Sequence, residues 1–185
     1  MGVVLFTGIN VNGYPCKNAV NVTEVDFFIG GLANSAVINN LVGSVITTAN
    51  NVEKIPGLNT LGVSLARIDY QPDGLNPPHT HPRASEIIFV LDGELDVGFI
   101  TTANKLISKS IKKGDIFVFP EGLNNGVKPA SVIAGFNSQF PGTQSIATTL
   151  FTSTPLVPEH VLTKGFQIGT KGVKKMRNKL APKKT

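Results

Sequence analysis

The chain has 185 residues with no tryptophan, one cysteine, two methionines and two tyrosines. A single cysteine, Cys16, excludes an intrachain disulfide, so the fold must be held by its packed core. No apolar run approaches the ~18 residues of a membrane-spanning helix, so no membrane span is expected. No helix-period pattern dominates the middle, and no internal repeat or second domain is present. The start, MGVVLFTGIN, lacks a basic n-region and a proper h-region, so no secretory signal is read there; either a removed precursor segment carries export or this copy lacks it. Acidic residues are absent from Lys164 onward, where eight Lys and Arg fall, whereas residues 1–163 carry nine basic and twelve acidic residues. The net charge of +5 is therefore a property of the tail. It suits attraction to polyanions, and equally a solvated helix face. No aromatic interleaving or nucleic-acid motif accompanies it, so nucleic acid is not an expected partner.

The 19 glycines and 12 prolines accompany ordinary apolar content, which fits many turns rather than disorder. A chain of this length reads as one domain and buries about two thirds of its unfolded surface. Short β-branched or aromatic runs, separated by Gly, Pro, Asn or Asp, predict strands at 61–70, 77–81, 86–91, 94–101, 105–111, 115–119, 130–136 and 145–151. Leu91-Asp92-Gly93-Glu94 carries the Asp-Gly pair of a tight hairpin. Residues 2–11 alternate loosely and suit a first strand. Thr23 to Leu32 suits a short helix or turn, and Leu41 to Thr60 reads mostly as loop with one strand. Pro158 to Lys179 predicts one or two helices, with Gly169 and Gly172 breaking the run. Strands at such regular spacing indicate an all-β sandwich or barrel.

The chemistry concentrates in GLNPPHTHPRASEIIFVLDG, residues 74–93, which holds two of the three histidines. His79 and His81 stand two apart, so in a strand both imidazoles face the same way. A turn at Pro82 to Ser85 brings Glu86 back toward them. Two imidazoles and a carboxylate form a facial set suited to iron, manganese or zinc. His160, at an expected helix start, reads as a surface residue. Asn21-Val22-Thr23 is an N-glycosylation acceptor pattern.

At these residues the chain resembles the germins and germin-like proteins, plant members of the cupin superfamily. Their first motif runs Gly, five residues, His-x-His, three or four residues, Glu, six residues, Gly. His79-Thr80-His81, Glu86 and Gly93 fit it, with Asp73 at the opening glycine position. The second motif runs Gly, five residues, Pro-x-Gly, two residues, His, three residues, Asn. Gly114, Pro120 and Gly122 match, while Asn125 holds the His position and Pro129 the final Asn position. Asn12-Gly13-Tyr14-Pro15-Cys16-Lys17, Leu61 to Asp69 and Pro158 to Gln167 extend the likeness over nearly the whole chain.

The resemblance implies a cupin jelly-roll β-barrel with short C-terminal helices: an N-terminal extension and strand at 1–24, the barrel at 25–157, and a helical segment with a basic tail at 158–185. It implies a manganese ion held by His79, His81 and Glu86, with Asn125, a neutral and weaker donor, in place of the third imidazole. Asn76 matches an asparagine that holds substrate in oxalate-oxidising germins. A second such asparagine would fall at Ala66, and its loss removes a hydrogen bond to a charged ligand worth roughly 1.5–3 kcal/mol, so oxalate oxidation is not expected. The resemblance further implies an apoplastic location, superoxide dismutase activity, a defence role, and a hexamer built as a trimer of dimers, clasped through Val161, Leu162 and Phe166; the polyanions that the basic tail suits would then be those of the cell wall. A cysteine pair usual in the family is missing, since residues 1–15 contain none. Lys113-Gly114-Asp115 reads as a turn entering a strand. The other reading is a metal-free, non-enzymatic cupin that keeps the barrel, with a structural or ligand-binding role in the cell wall.

Overall fold

A computed structural model describes residues 6–120, 124–127 and 130–181. Strands β1 (Phe6–Val11) and β2 (Tyr14–Lys17) form a hairpin that turns at Asn12-Gly13, both at positive φ, as a two-residue hairpin turn demands. The other strands make one antiparallel system: β3 (Ser44–Asn50), β4 (Ser64–Tyr70), β5 (Leu75–Thr80), β6 (Glu86–Ile100), β7 (Leu106–Lys112), β8 (Ile116–Phe119), β9 (Asn124–Val127), β10 (Ala130–Phe136) and β11 (Gln144–Ser145). Their order is β11-β5-β9-β6-β10-β4-β3, with β7 and β8 also on β6.

β6 is the hub. Its first half pairs with β10 and β8, and its second half with β7 and β9. One strand thus belongs to both faces of the jelly roll, and the core lies between them. Alternation sets that core. Ala130, Val132, Ala134 and Phe136 of β10 are buried in strict period two, facing Ile88 and Val90 of β6 and Ala66 and Ile68 of β4. Full burial of one such Val or Ile contributes about 1.5–3 kcal/mol.

Three expectations fail, each for a physical reason. Asp92-Gly93 is not a hairpin, because β6 runs through it without a break. Gly93 takes φ +81 and pairs with Ala130, two residues past Leu91, which the pairing skips as a bulge between Ser131 and Val132 of β10; a glycine beside a bulge serves the sharper local twist as readily as it serves a turn. The hairpin that joins β6 to β7 lies at Thr101–Asn104 instead. Residues 145–151 mostly form helix α1 (Ile146–Thr152), not a strand. Their β-branched propensity is overridden by packing, since Phe151 is buried against α2 (Glu159–Phe166) and α3 (Thr170–Leu180) in a cluster with Leu162 and Val173. Gly169 does separate α2 from α3 as the N-cap of α3, but Gly172 lies inside α3.

Candidate metal centre

His79 lies in β5 and His81 one residue beyond its end. The chain then turns through Pro82–Ser85, with the Ala84 amide donating to the His81 carbonyl and the Ser85 amide to the Asn137 side chain at 2.7 Å. Glu86 opens β6, opposite Phe136 of β10 and Phe119 of β8. The expected turn therefore does bring the carboxylate back. The three side chains are 3%, 6% and 5% exposed, and their ligand atoms lie within 4.8 Å of one another. Asp73, which departs from the family glycine, adopts φ +59. Asp is among the few side chains that tolerate that region, so the substitution leaves the approach to β5 intact.

The tautomers follow from the partners. His79 Nδ1 contacts the Pro77 carbonyl at 2.8 Å, and His81 Nδ1 contacts the Gly142 carbonyl at 2.5 Å. A carbonyl only accepts, so both Nδ1 atoms carry the proton and both Nε2 atoms present lone pairs. Metal-ligating histidines are oriented in this way. His81 Nε2 stands 3.5 Å from a Glu86 carboxylate oxygen. A lone pair facing a carboxylate in a buried site is a conflict that a cation resolves, and the donor set fits one.

Burial holds both imidazoles neutral. It pushes His79 below its usual range against the Pro77 carbonyl. It pushes His81 down to about 4, helped by the charge His79 would carry and opposed by the Gly142 carbonyl. Tyr70, partly buried beside this centre, is pushed up by desolvation and then by the Glu86 charge, against its bond to the Asn76 amide. In the metal-free protein, unfolding frees the histidines to bind protons near pH 6.5, which the folded state refuses. That contribution is present above about pH 6.5 and is lost as pH falls toward 4. For His81 the drop from 6.5 to about 4 corresponds to roughly 3 kcal/mol. Urea midpoints of wild type and His81→Gln should converge between pH 7 and pH 4; a constant gap would refute the assignment.

A cavity of about 230 Å³ opens onto the three residues, with Asn76, Ala66, Phe136 and Phe140 in its wall and no Lys or Arg among its lining. Its roof is held by Arg83, whose Nε donates to the Phe140 carbonyl at 2.7 Å while the guanidinium covers the Phe140 ring. Sequence reasoning missed the Gly142 carbonyl, which follows β10 in a loop with no motif. It also missed Asn50, 2% exposed, lining the cavity, with neither amide atom hydrogen-bonded among the described residues.

Of Asn124 and Asn125 the structure describes the backbone alone, so the expected ligand atom of Asn125 lies outside the described residues. In register, Asn124 stands opposite His79, and Asn125 opposite Gly98. His160 is exposed in α2, away from the centre. Lys113-Gly114-Asp115 is a turn into β8, with Asp115 accepting from the Lys112 amide. Leu162, expected in a subunit clasp, is buried within its own chain at 2% exposure, while Val161 and Phe166 are about half exposed. Among the described residues, no helix is long and apolar enough to cross a membrane.

Residues 30–174 match the cupin family. Germin-like protein subfamily 2 member 4 of Arabidopsis thaliana is 67% identical over 184 residues, covering 96% of this chain and 83% of that protein. The rhicadhesin receptor of Pisum sativum is 64% identical over 181 residues, covering 95% and 83%. Among solved structures, recombinant oxalate oxidase in complex with glycolate superposes with a TM-score of 0.88 at 37% identity, covering 95% of this chain and 90% of that one. With this barrel and these relatives, the chain belongs to the germin-like proteins of the cupin family.

Proposed function

We propose that this germin-like protein holds one manganese ion through His79, His81 and Glu86 and dismutates superoxide, acting in the apoplast in plant defence. The observation that carries the reading is the pair of Nδ1-protonated imidazoles converging with a carboxylate in a buried site. Bound manganese would supply one-electron redox chemistry. The protein's own part is to fix the two imidazoles by the Pro77 and Gly142 carbonyls, to exclude bulk water by the Phe140 roof, and to orient a small anion by Asn76 at the cavity wall. Oxalate oxidation is disfavoured, because Ala66 presents a methyl group to the cavity where an amide would be needed. Asn21, half-buried in a 3₁₀ turn, is the proposed glycosylation site. The half-exposed Val161 and Phe166 support assembly into a hexamer, and the basic tail supports contact with wall polyanions. Protein made in a plant host should carry close to one manganese per chain and dismutase activity; less than about a tenth of an equivalent, with no activity, overturns the reading.

The second reading, a metal-free structural cupin, draws on the amides at the fourth position. Asn124 holds the register position across from His79, and directly paired residues share a sheet face. Asn124→His is therefore expected to raise manganese affinity about tenfold or more, and by more than Asn125→His. A larger gain from Asn125→His would show that the motif alignment, not the register, locates the fourth ligand. No gain from either would favour the metal-free reading.

A further inference from the structure

Arg83 stands in the turn that joins His81 to Glu86, and its base is fixed. Ala84 is buried with its amide on the His81 carbonyl, and the Ser85 amide donates to the Asn137 side chain. From there the exposed Arg83 side chain reaches Phe140, 57 positions along the chain. Its Nε donates to the Phe140 carbonyl at 2.7 Å, and its guanidinium carbon lies 5.1 Å from the centre of the Phe140 ring. Tyr14 of β2 meets the same ring edge-on, with 6.2 Å between ring centres. The guanidinium also packs on the Gly142 backbone, because a Cβ at position 142 would lie 2.5 Å from Arg83 Nη2. Gly142 takes φ +66, a conformation glycine adopts without strain. Its carbonyl is the acceptor that keeps the His81 proton on Nδ1. A neutral imidazole carries its proton on either nitrogen, and the hydrogen bond made by one nitrogen decides which of them is left for a metal. Arg83 itself lies outside the cavity wall, whereas Phe140, Pro141 and Gly142 are in it. It therefore acts on the centre through backbone that it holds in place.

We propose that Arg83 is a positioning residue of the metal centre: by pinning residues 140–142 it keeps the Gly142 carbonyl on His81 and so fixes the tautomer in which Nε2 faces the cation. The inference rests on the metal-binding reading for the cation alone, since the tautomer is set by the chain and is read without metal. Heteronuclear NMR of the His81 ring nitrogens in the full-length, chelated protein at about pH 7.5, where an ordinary imidazole is neutral, is the first test. Wild type should show a protonated Nδ1 and a bare Nε2. Arg83→Met, which keeps the length of the side chain without its charge or N–H groups, should show both tautomers in exchange. Gly142→Ala, whose methyl group displaces the guanidinium, should do the same. Arg83→Lys, which keeps a charge and a donor, should lie closer to wild type, and Lys113→Met, at an exposed lysine paired with Asp92, should match it. The second readout is manganese affinity, followed by electron paramagnetic resonance of free and bound ion. Arg83→Met should bind about tenfold more weakly, with a changed spectrum of the bound ion. An unchanged His81 tautomer in Arg83→Met overturns the proposal, and so does an unchanged manganese affinity. A lower melting temperature of the chelated Arg83→Met protein, with tautomer and affinity both intact, overturns it too, for Arg83 would then serve the fold alone. If wild type binds no manganese while Arg83→Met still loses the tautomer, the positioning role stands and the metal-binding reading falls.

Discussion

Glu86→Gln is expected to abolish manganese binding while making the metal-free protein more stable. The two effects have one cause. Glu86 is 5% exposed and places a carboxylate oxygen 3.5 Å from His81 Nε2, whose proton is on the other nitrogen because Nδ1 serves the Gly142 carbonyl. Without a cation, the Nε2 lone pair and the carboxylate oxygen face each other as two acceptors in a buried site, with no proton between them. The glutamine amide keeps the shape, removes the charge and donates to Nε2, for a gain of about 1 kcal/mol. The same change removes the one anionic ligand. Losing even a group that only orients a ligand weakens a metal site about 10–100-fold, so the loss here should exceed that. The measurement is metal content together with thermal melting of the chelated protein. Retained manganese, or a melting temperature that falls, would contradict the assignment of Glu86 as a ligand. His79→Ala should match Glu86→Gln in metal loss but not in stabilisation, because it opens a hole under the roof instead of relieving a charge.

The three-residue centre was legible in the sequence because its geometry is local. Period two puts His79 and His81 on one face, and the Pro82–Ser85 turn returns Glu86. The carbonyls that set the tautomers were not equally legible. Pro77 is two residues from His79, but Gly142 is 61 residues from His81, and a backbone oxygen leaves no mark in side-chain identity. The barrel was legible through alternation in β10, where every second residue is buried. It was misread at Gly93, since glycine at positive φ marks a bulge and a turn alike, and at α1, where a run of Ile, Thr, Leu and Phe is helical because α2 and α3 offer Phe151 a place to pack. Which residue of β9 stands opposite His79 depends on the register between β5 and β9, and a register is a pairing of distant segments that spacing within one motif does not fix.

Asp69→Ala is expected to destabilise the fold by about 3–5 kcal/mol, a large share of the 5–15 kcal/mol typical of a domain. Arg67 and Asp69 lie on the outward face of β4, where alternation predicts exposure, yet they are 7% and 3% exposed. Residues 32–36 account for this. Arg67 Nη1 donates to the Leu32 carbonyl at 2.7 Å, and the Ala36 amide donates to Asp69. The guanidinium meets the carboxylate through Nε and Nη2 at 2.8–3.1 Å, and the Ser131 hydroxyl of β10 donates to Asp69 at 2.6 Å. Both charges are thus satisfied only together, in a layer that pins the N-terminal segment over the barrel. Alanine at 69 leaves the guanidinium buried without its counter-charge and frees Ala36 and Ser131 of their acceptor. Replacing both charges by apolar groups, Arg67→Met with Asp69→Leu, should recover most of the loss, because a well-packed apolar pair often equals a buried ion pair. Urea unfolding checks both results, and limited proteolysis between residues 28 and 42 should quicken in the single variant. A cost below about 1 kcal/mol would mean that the pair behaves as an exposed surface bridge, and that residues 32–36 are held over β4 by their apolar contacts alone.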